Sequence, residues 1–378
     1  MDRGRPPADA LNLDTPEPPA APILAPSGGP SWSAPALVDA WPDARPFPLA
    51  GWFERNRFEP VSTAILAVIG AFVAFQLVAN LGVLATVLAD LLGSGATEPP
   101  TAEAVMAAIG EHAHAVLVWN SVGQALGFGL VTWGLARLHT ADPAAFLRAR
   151  PVESSGAGAA GLGLAVLGWL AVYPVVLVAG KLNSLVPLPE WMRLADEARA
   201  QMIEGFLLGG QLSTVFLVIT VALVPAVFEE LLFRGYLMRQ VERRLAPAWT
   251  FAAVGLTFGA YHLSAAQLLP LSLLGAYLCF VVWATGSVWT GVLVHLLNNG
   301  LAVLATAALR GRPDVDPATV GDVDGPWYVS AALAAAGTLA VVAVGRALVA
   351  RRGALTGGRP DAAPVPSPSS PAPLAVPS

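Results

Sequence analysis

The sequence predicts an all-α, polytopic membrane protein, with about eight transmembrane helices around an intramembrane polar site. Three observations lead there. The 378 residues are 55% hydrophobic and only 12% charged, about half the charged share of an ordinary soluble domain. Mean hydropathy is +0.61. Apolar runs of about 20 residues, the length that crosses a bilayer, recur between residues 61 and 349 with no long polar domain among them. The net charge of −5 gives no ground for a nucleic-acid partner. A single cysteine, Cys279, excludes an internal disulfide and a cysteine-ligated zinc centre. Cys279 lies in an apolar run and reads as a buried, inert thiol.

Residues 1–58 are rich in proline, alanine and polar residues and lack the charged start and apolar core of a signal peptide. A disordered tail is expected, ending in an interfacial anchor where Trp52, Phe53 and Phe58 interleave with Arg55 and Arg57. The membrane domain is placed at 59–350, with spans near 61–92, 115–137, 158–186, 206–232, 249–266, 269–287, 289–308 and 327–349. The fifth is the shortest. Pro174 and Pro225 fall inside spans, where neighbours must satisfy the freed carbonyls. The segment 188–204, with Glu190, Arg193, Asp196, Glu197 and Arg199, is amphipathic and is expected at a surface. Residues 351–378 repeat the proline-rich pattern and are expected to form a second disordered tail.

The basic residues suggest an orientation. With eight spans and a cytoplasmic start, sixteen of the 21 lysines and arginines fall inside and five outside, namely Lys181, Arg193, Arg199, Arg310 and Arg312. That bias favours a multi-pass protein of the cell membrane with both termini cytoplasmic.

Ionisable residues within spans are expensive and mark functional candidates. Three clusters qualify. In Glu229-Glu230-Leu231-Leu232-Phe233-Arg234, Glu230 and Arg234 are four apart and share a helix face, whereas Glu229 points about 100° away. Glu230 then has an ion-pair partner and Glu229 is left to face a cavity; an ordinary ion-paired helix end reads the same way. In Phe258-Gly259-Ala260-Tyr261-His262, the ring of Phe258 shares a face with His262 and can fix its orientation, although a lone helical histidine also serves as a packing residue. In His295-Leu296-Leu297-Asn298-Asn299, His295 and Asn299 share a face and Asn298 lies to the side; Asn299 suits an oxyanion donor or plain interhelical glue. Together these groups supply a base, two polarising imidazoles and a carboxamide, a set sufficient for water-mediated amide hydrolysis.

The ordered trio E-E-x-x-x-R, F-x-x-x-H and H-x-x-x-N resembles the CPBP family of intramembrane proteases, which includes CAAX prenyl endopeptidases and bacterial members linked to bacteriocin processing or immunity. The match covers about residues 215–305. The resemblance implies an eight-helix membrane fold and an endopeptidase acting on a peptide or membrane-protein substrate amid membrane lipids. It implies Glu229 as general base, His262 and His295 as holders of the water or the tetrahedral intermediate, and Asn299 at the oxyanion site. Glu230, Arg234 and Phe258 would support them. His262, His295 and Glu229 are also a zinc-ligand set, so a zinc-dependent and a glutamate–water mechanism both stand. HExxH is absent. Ser287 after Gly286 has no supporting pattern for a serine protease, and only Asp90 approaches a span, which disfavours a paired-aspartate one. A catalytically silent membrane scaffold or bacteriocin self-immunity protein of the same fold is the alternative; a transporter is disfavoured because the polar residues sit in one half and no repeat is visible.

Overall fold

A computed structural model of the chain describes residues 49–93, 101–152, 156–208, 211–310 and 327–356. Among these residues every regular element is a helix. In chain order they are α1 (Trp52–Arg55), α2 (Pro60–Gly93), α3 (Ala102–Glu111), α4 (Ala113–His139), α5 (Pro143–Phe146), α6 (Gly156–Ser184), α7 (Glu190–Leu208), α8 (Thr214–Glu242), α9 (Pro247–Tyr261), α10 (Leu268–Thr285), α11 (Val288–Leu309) and α12 (Trp327–Thr356).

Seven of them, α2, α4, α6, α8, α10, α11 and α12, are long and apolar enough to cross a membrane. The eighth expected span, near 249–266, is α9. Its 15 residues reach about 22 Å at 1.5 Å per residue, short of the roughly 30 Å hydrocarbon core. Pro247 starts α9, where a missing N–H costs nothing. The helix stops at Tyr261, ahead of the expected boundary, because His262 caps it and Leu263 takes a left-handed backbone, φ 52°.

The helices are inside-out relative to a soluble bundle. Along α2, Val61, Ile65, Ile69, Val73, Leu77 and Leu81 recur every fourth residue and are exposed, while Ala64, Ala67, Ala71 and Ala79 are buried. Such an apolar outer stripe requires lipid as its solvent, and small inner residues let backbones approach. The protein is therefore a multi-pass membrane protein. Glycine does the same between α9 and α10. A Cβ on Gly255 would lie 2.6 Å from the Ser272 carbonyl oxygen, and one on Gly259 2.7 Å from that of Leu268. This G-x-x-x-G spacing seats α9 directly against α10.

The main core gathers Phe128 of α4, Phe146 and Leu147, Leu232, Phe233, Tyr236 and Met238 of α8, Val254 and Phe258 of α9, and Cys279 of α10. Cys279 is fully buried, as an inert packing thiol would be. A second cluster joins Ala165 and Trp169 of α6 to Leu274, Tyr277 and Leu278 of α10 and Val294 of α11. Gly286, in the left-handed region at φ 70°, ends α10, and Ser287 caps α11 by accepting from the Trp289 N–H at 3.3 Å. The Ser287 hydroxyl donates to the Arg150 carbonyl at 2.7 Å, so this serine is a structural cap.

Beside the membrane domain, α1 docks through a polar knot. His139, fully buried at the end of α4, places Nδ1 2.8 Å from the Glu54 carboxylate. Its Nε2 lies 2.9 Å from the Tyr236 hydroxyl and accepts from the Gln240 amide at 3.0 Å. Arg243 donates to both Glu54 oxygens at 3.1 Å each. Phe53 is buried against the His139 ring, 4.9 Å between centroids, whereas Trp52 and Phe58 stay exposed. The end of the expected N-terminal tail is thus folded onto the domain. At the other end α12 runs to Thr356, six residues past the expected boundary at 350. The remaining tail expectations, residues 1–48 and 357–378, lie outside the described residues. The expected surface segment is α7, none of whose residues is buried.

Candidate active site

α8 brings the first motif into the bundle. It stays continuous through Pro225 by widening at Val218–Leu223 and again at Leu231–Leu237, where it is a π-helix, a local widening common at functional sites. Glu230 and Arg234 are both fully buried and pair at 2.7 Å, as their spacing predicts. Arg234 also donates to the Gly275 carbonyl of α10 at 3.0 Å and lies over the Phe258 ring, 4.4 Å from its centroid. Two buried charges survive here because each is hydrogen-bonded as well as paired.

Glu230 has a second partner that spacing does not reveal. Its Oε1 lies 3.0 Å from His295 Nδ1, across to α11. A carboxylate paired with arginine only accepts, so Nδ1 of His295 donates, and in the neutral ring Nε2 is then the acceptor. That Nε2 faces Glu229, 3.9 Å from Oε2. Gly291, one turn before His295, makes this possible: a Cβ there would sit 2.5 Å from Glu230 Oε2.

His262 is fixed by the same logic. Its Nδ1 lies 2.8 Å from the Phe258 carbonyl oxygen, which can only accept, so Nδ1 carries the hydrogen, and in the neutral ring Nε2 is again the acceptor. The Phe258 ring is buried and meets His262 edge-on at 4.8 Å and His295 at 5.8 Å. One ring therefore contacts both imidazoles and the Arg234 guanidinium. Two carboxylate oxygens are left over: Oε2 of Glu229 and Oε2 of Glu230 are buried with no hydrogen-bond partner among the described residues.

Asn299 sits at the end of a relay that the sequence did not signal. Trp169 of α6 donates to Asn298 Oδ1 at 3.2 Å, Asn298 Nδ2 donates to Asn299 Oδ1 at 3.2 Å, and Asn299 Nδ2 donates to the Val221 carbonyl at 3.4 Å. Pro225 has no N–H for that carbonyl four residues back. Asn299 supplies the replacement, with one amide hydrogen left over. The proline was a legible signal that some side chain would be recruited; which one was not.

Glu229, His262 and His295 offer zinc-type donors. Among the described residues, however, no three His, Cys, Asp or Glu side chains gather into a metal-ligand set. The donor chemistry suits zinc, but this arrangement does not form the three-ligand cradle that zinc needs.

One comparison with known proteins bears on the site. Residues 211–301 match the Rce1-like family, type II CAAX prenyl endopeptidases. The Rce1-like segment is roughly a quarter of the chain, and it contains Glu229, Glu230, Arg234, Phe258, His262, His295 and Asn299. It agrees with the motif resemblance and supports a CAAX-type intramembrane protease at the level of the family. Trp169 and the α1 knot's Glu54 and His139 lie outside it. No curated protein and no solved structure matches the chain.

Proposed function

We propose that this protein is an intramembrane endopeptidase that hydrolyses a peptide bond with water activated by Glu229. The observation that carries the reading is the unequal treatment of two adjacent glutamates. Glu230 is fully buried and paired with Arg234 through Oε1, leaving only its Oε2 without a partner, while Glu229 places its unpartnered Oε2 3.9 Å from His295 Nε2, an acceptor in the neutral ring. Two acceptors 3.9 Å apart do not bond each other. They suit one molecule with two hydrogens to give, which is water. Its lone pair is then free to attack the scissile carbonyl carbon. One water proton passes to Glu229, the C–N bond breaks, and that proton leaves on the departing amine; the products are a carboxylic acid and an amine. The second amide hydrogen of Asn299 serves the developing oxyanion, and the Nε2 lone pair of His262 accepts from the water or the tetrahedral hydroxyl. Peptides and membrane proteins entering from the bilayer are the substrate class.

The test is a quenched-fluorophore library of apolar peptides added to the purified protein in phosphatidylethanolamine–phosphatidylglycerol liposomes, with new termini read by mass spectrometry. Cleavage supports the reading. Intact peptides from a folded wild-type protein would move it to the scaffold or self-immunity class.

We also place the protein in the cell membrane with both termini cytoplasmic. That parity requires α9 to complete an eighth crossing. Reporter fusions at the two ends decide it: opposite signals from the two tails would make seven the number of crossings.

A further inference from the structure

The turn that follows α9 is held from outside. His262 caps the helix, and Leu263 then sits at φ 52°, a region that residues with a side chain rarely adopt and keep only when their surroundings impose it. The imposing groups come from α6 and α7. Asn183, buried at the end of α6, donates to the carbonyls of Ala265 at 2.8 Å and Ala266 at 3.0 Å, and accepts from the Leu269 N–H at 3.1 Å. Asp196 accepts from the Ala266 N–H at 3.0 Å. Arg199, which pairs with Asp196 at 3.3 Å, donates to the Leu263 carbonyl at 2.7 Å. Five hydrogen bonds from three side chains thus fix the backbone of residues 263–269.

We propose that Asn183, Asp196 and Arg199 are positioning residues that clamp the His262 turn. The clamp rests on the reading above that His262 serves a peptidase site, but it lies wholly outside the Rce1-like segment. α7 buries no residue, so polar bonds of this kind, rather than packing, seat its middle against the turn. The conformation of Leu263 decides where α9 ends, and the end of α9 decides where the His262 ring lies. A displacement of about 1 Å at a catalytic group can lower turnover about a hundredfold.

The experiment compares wild type with Asp196→Ala, Asn183→Ala and Asp196→Asn in liposomes, using the same peptide library. A second reading, independent of activity, is the rate at which diethyl pyrocarbonate modifies His262, followed on its own peptide by mass spectrometry. The two alanine variants are expected to lose about ten- to a hundredfold in kcat with KM near wild type and to change the His262 modification rate severalfold; the thermal midpoint stays near wild type in Asp196→Ala and falls in Asn183→Ala, which strands three backbone groups. Asp196→Asn, which keeps an acceptor for the Ala266 N–H, is expected to restore most of both. Wild-type kcat and modification rate in both alanine variants would overturn the clamp. So would losses that track the thermal midpoint and that Asp196→Asn fails to restore. A wild-type protein that cleaves nothing, but whose His262 modification still responds to Asp196→Ala, leaves the clamp standing and removes the peptidase.

Discussion

Among the described residues two knots of histidine, carboxylate and arginine stand out, around His139 and around Glu230, and they differ in what is left over. In the knot around His139, both ring nitrogens are engaged, both Glu54 oxygens accept from Arg243, and Gln240 and Tyr236 close the remaining side. In the knot around Glu230, the arginine and the carboxylate are just as firmly paired, yet His262 and His295 each keep an acceptor nitrogen in the neutral ring and Glu229 keeps an unpartnered oxygen. A buried polar group without a partner is costly. The first knot spends both ring nitrogens and both carboxylate oxygens on docking α1, leaving only Arg243 Nε over. The second leaves Oε2 of Glu229 and Oε2 of Glu230 without a partner and sets two imidazoles around the Phe258 ring, which suits the proposed uptake of a water and a carbonyl.

The sharpest test exchanges one glutamate in each knot. Glu229→Gln keeps the shape but cannot take a proton, so kcat is expected to fall about 10²–10⁴-fold with an unchanged thermal midpoint. Glu54→Gln is expected to leave kcat near wild type. Measuring both variants on a cleaved peptide decides it, and equal losses of turnover would erase the distinction between the knots.

Next in size is the stability of each ion pair. Glu230→Gln strands Arg234, fully buried between α8 and α10, and is expected to cost about 3–5 kcal/mol. Arg243→Gln leaves Glu54 with His139 and partial access to solvent, so about 1–3 kcal/mol is expected. Thermal unfolding in detergent measures both; a larger loss at Arg243 would reverse the ranking.

A smaller effect probes how closely α8 approaches α11. Gly291→Ala puts a methyl 2.5 Å from Glu230 Oε2, which must shift. About 1–3 kcal/mol of overpacking is expected, with roughly tenfold lower kcat because the shifted carboxylate turns His295. Gly300→Ala, where a Cβ meets nothing within 4 Å, is the control. If Gly291→Ala matches it in stability and turnover, the Glu230–His295 contact does not orient the ring.

The sequence makes legible whatever depends on local period or composition. Apolar runs mark the seven long spans, and i,i+4 spacing pairs Glu230 with Arg234 and sets Phe258 beside His262. α9 was overextended because Leu263 and Ser264 offer no glycine or proline to mark a stop; its end is imposed by Asn183, Asp196 and Arg199 from distant helices. The Glu230–His295 bond, the Trp169–Asn298–Asn299 relay and the whole His139 knot were illegible for a related reason. Their long-range contacts join residues from 65 to 189 apart, and nothing in a single chain's spacing says which of them will meet.

The smallest expected effect concerns the docking knot alone. Glu54 lies outside the spans. Burial pushes its carboxyl upward, but the hydrogen bonds and charges of His139 and Arg243 more than offset this, holding its pKa below the ordinary value of 4.5. A carboxylate with a depressed folded-state pKa stabilises the protein fully above its unfolded value, and that contribution is lost as pH falls through the folded one. The window therefore opens below about pH 4.5. The thermal midpoint of wild type is expected to fall faster than that of Glu54→Gln as pH drops from about 4.5, whereas above that window the two curves run parallel, wild type being the higher. Carboxylates remote from the knot titrate alike in both proteins, so the difference between the curves reads Glu54 together with the His139 ring bonded to it. Because Glu54 ties α1 to α4 and α8, limited proteolysis near Trp52 should accelerate over the same range. Curves parallel down to about pH 3 would mean that the Glu54 charge adds nothing to the docking, leaving the buried ring of Phe53 to hold α1 in place.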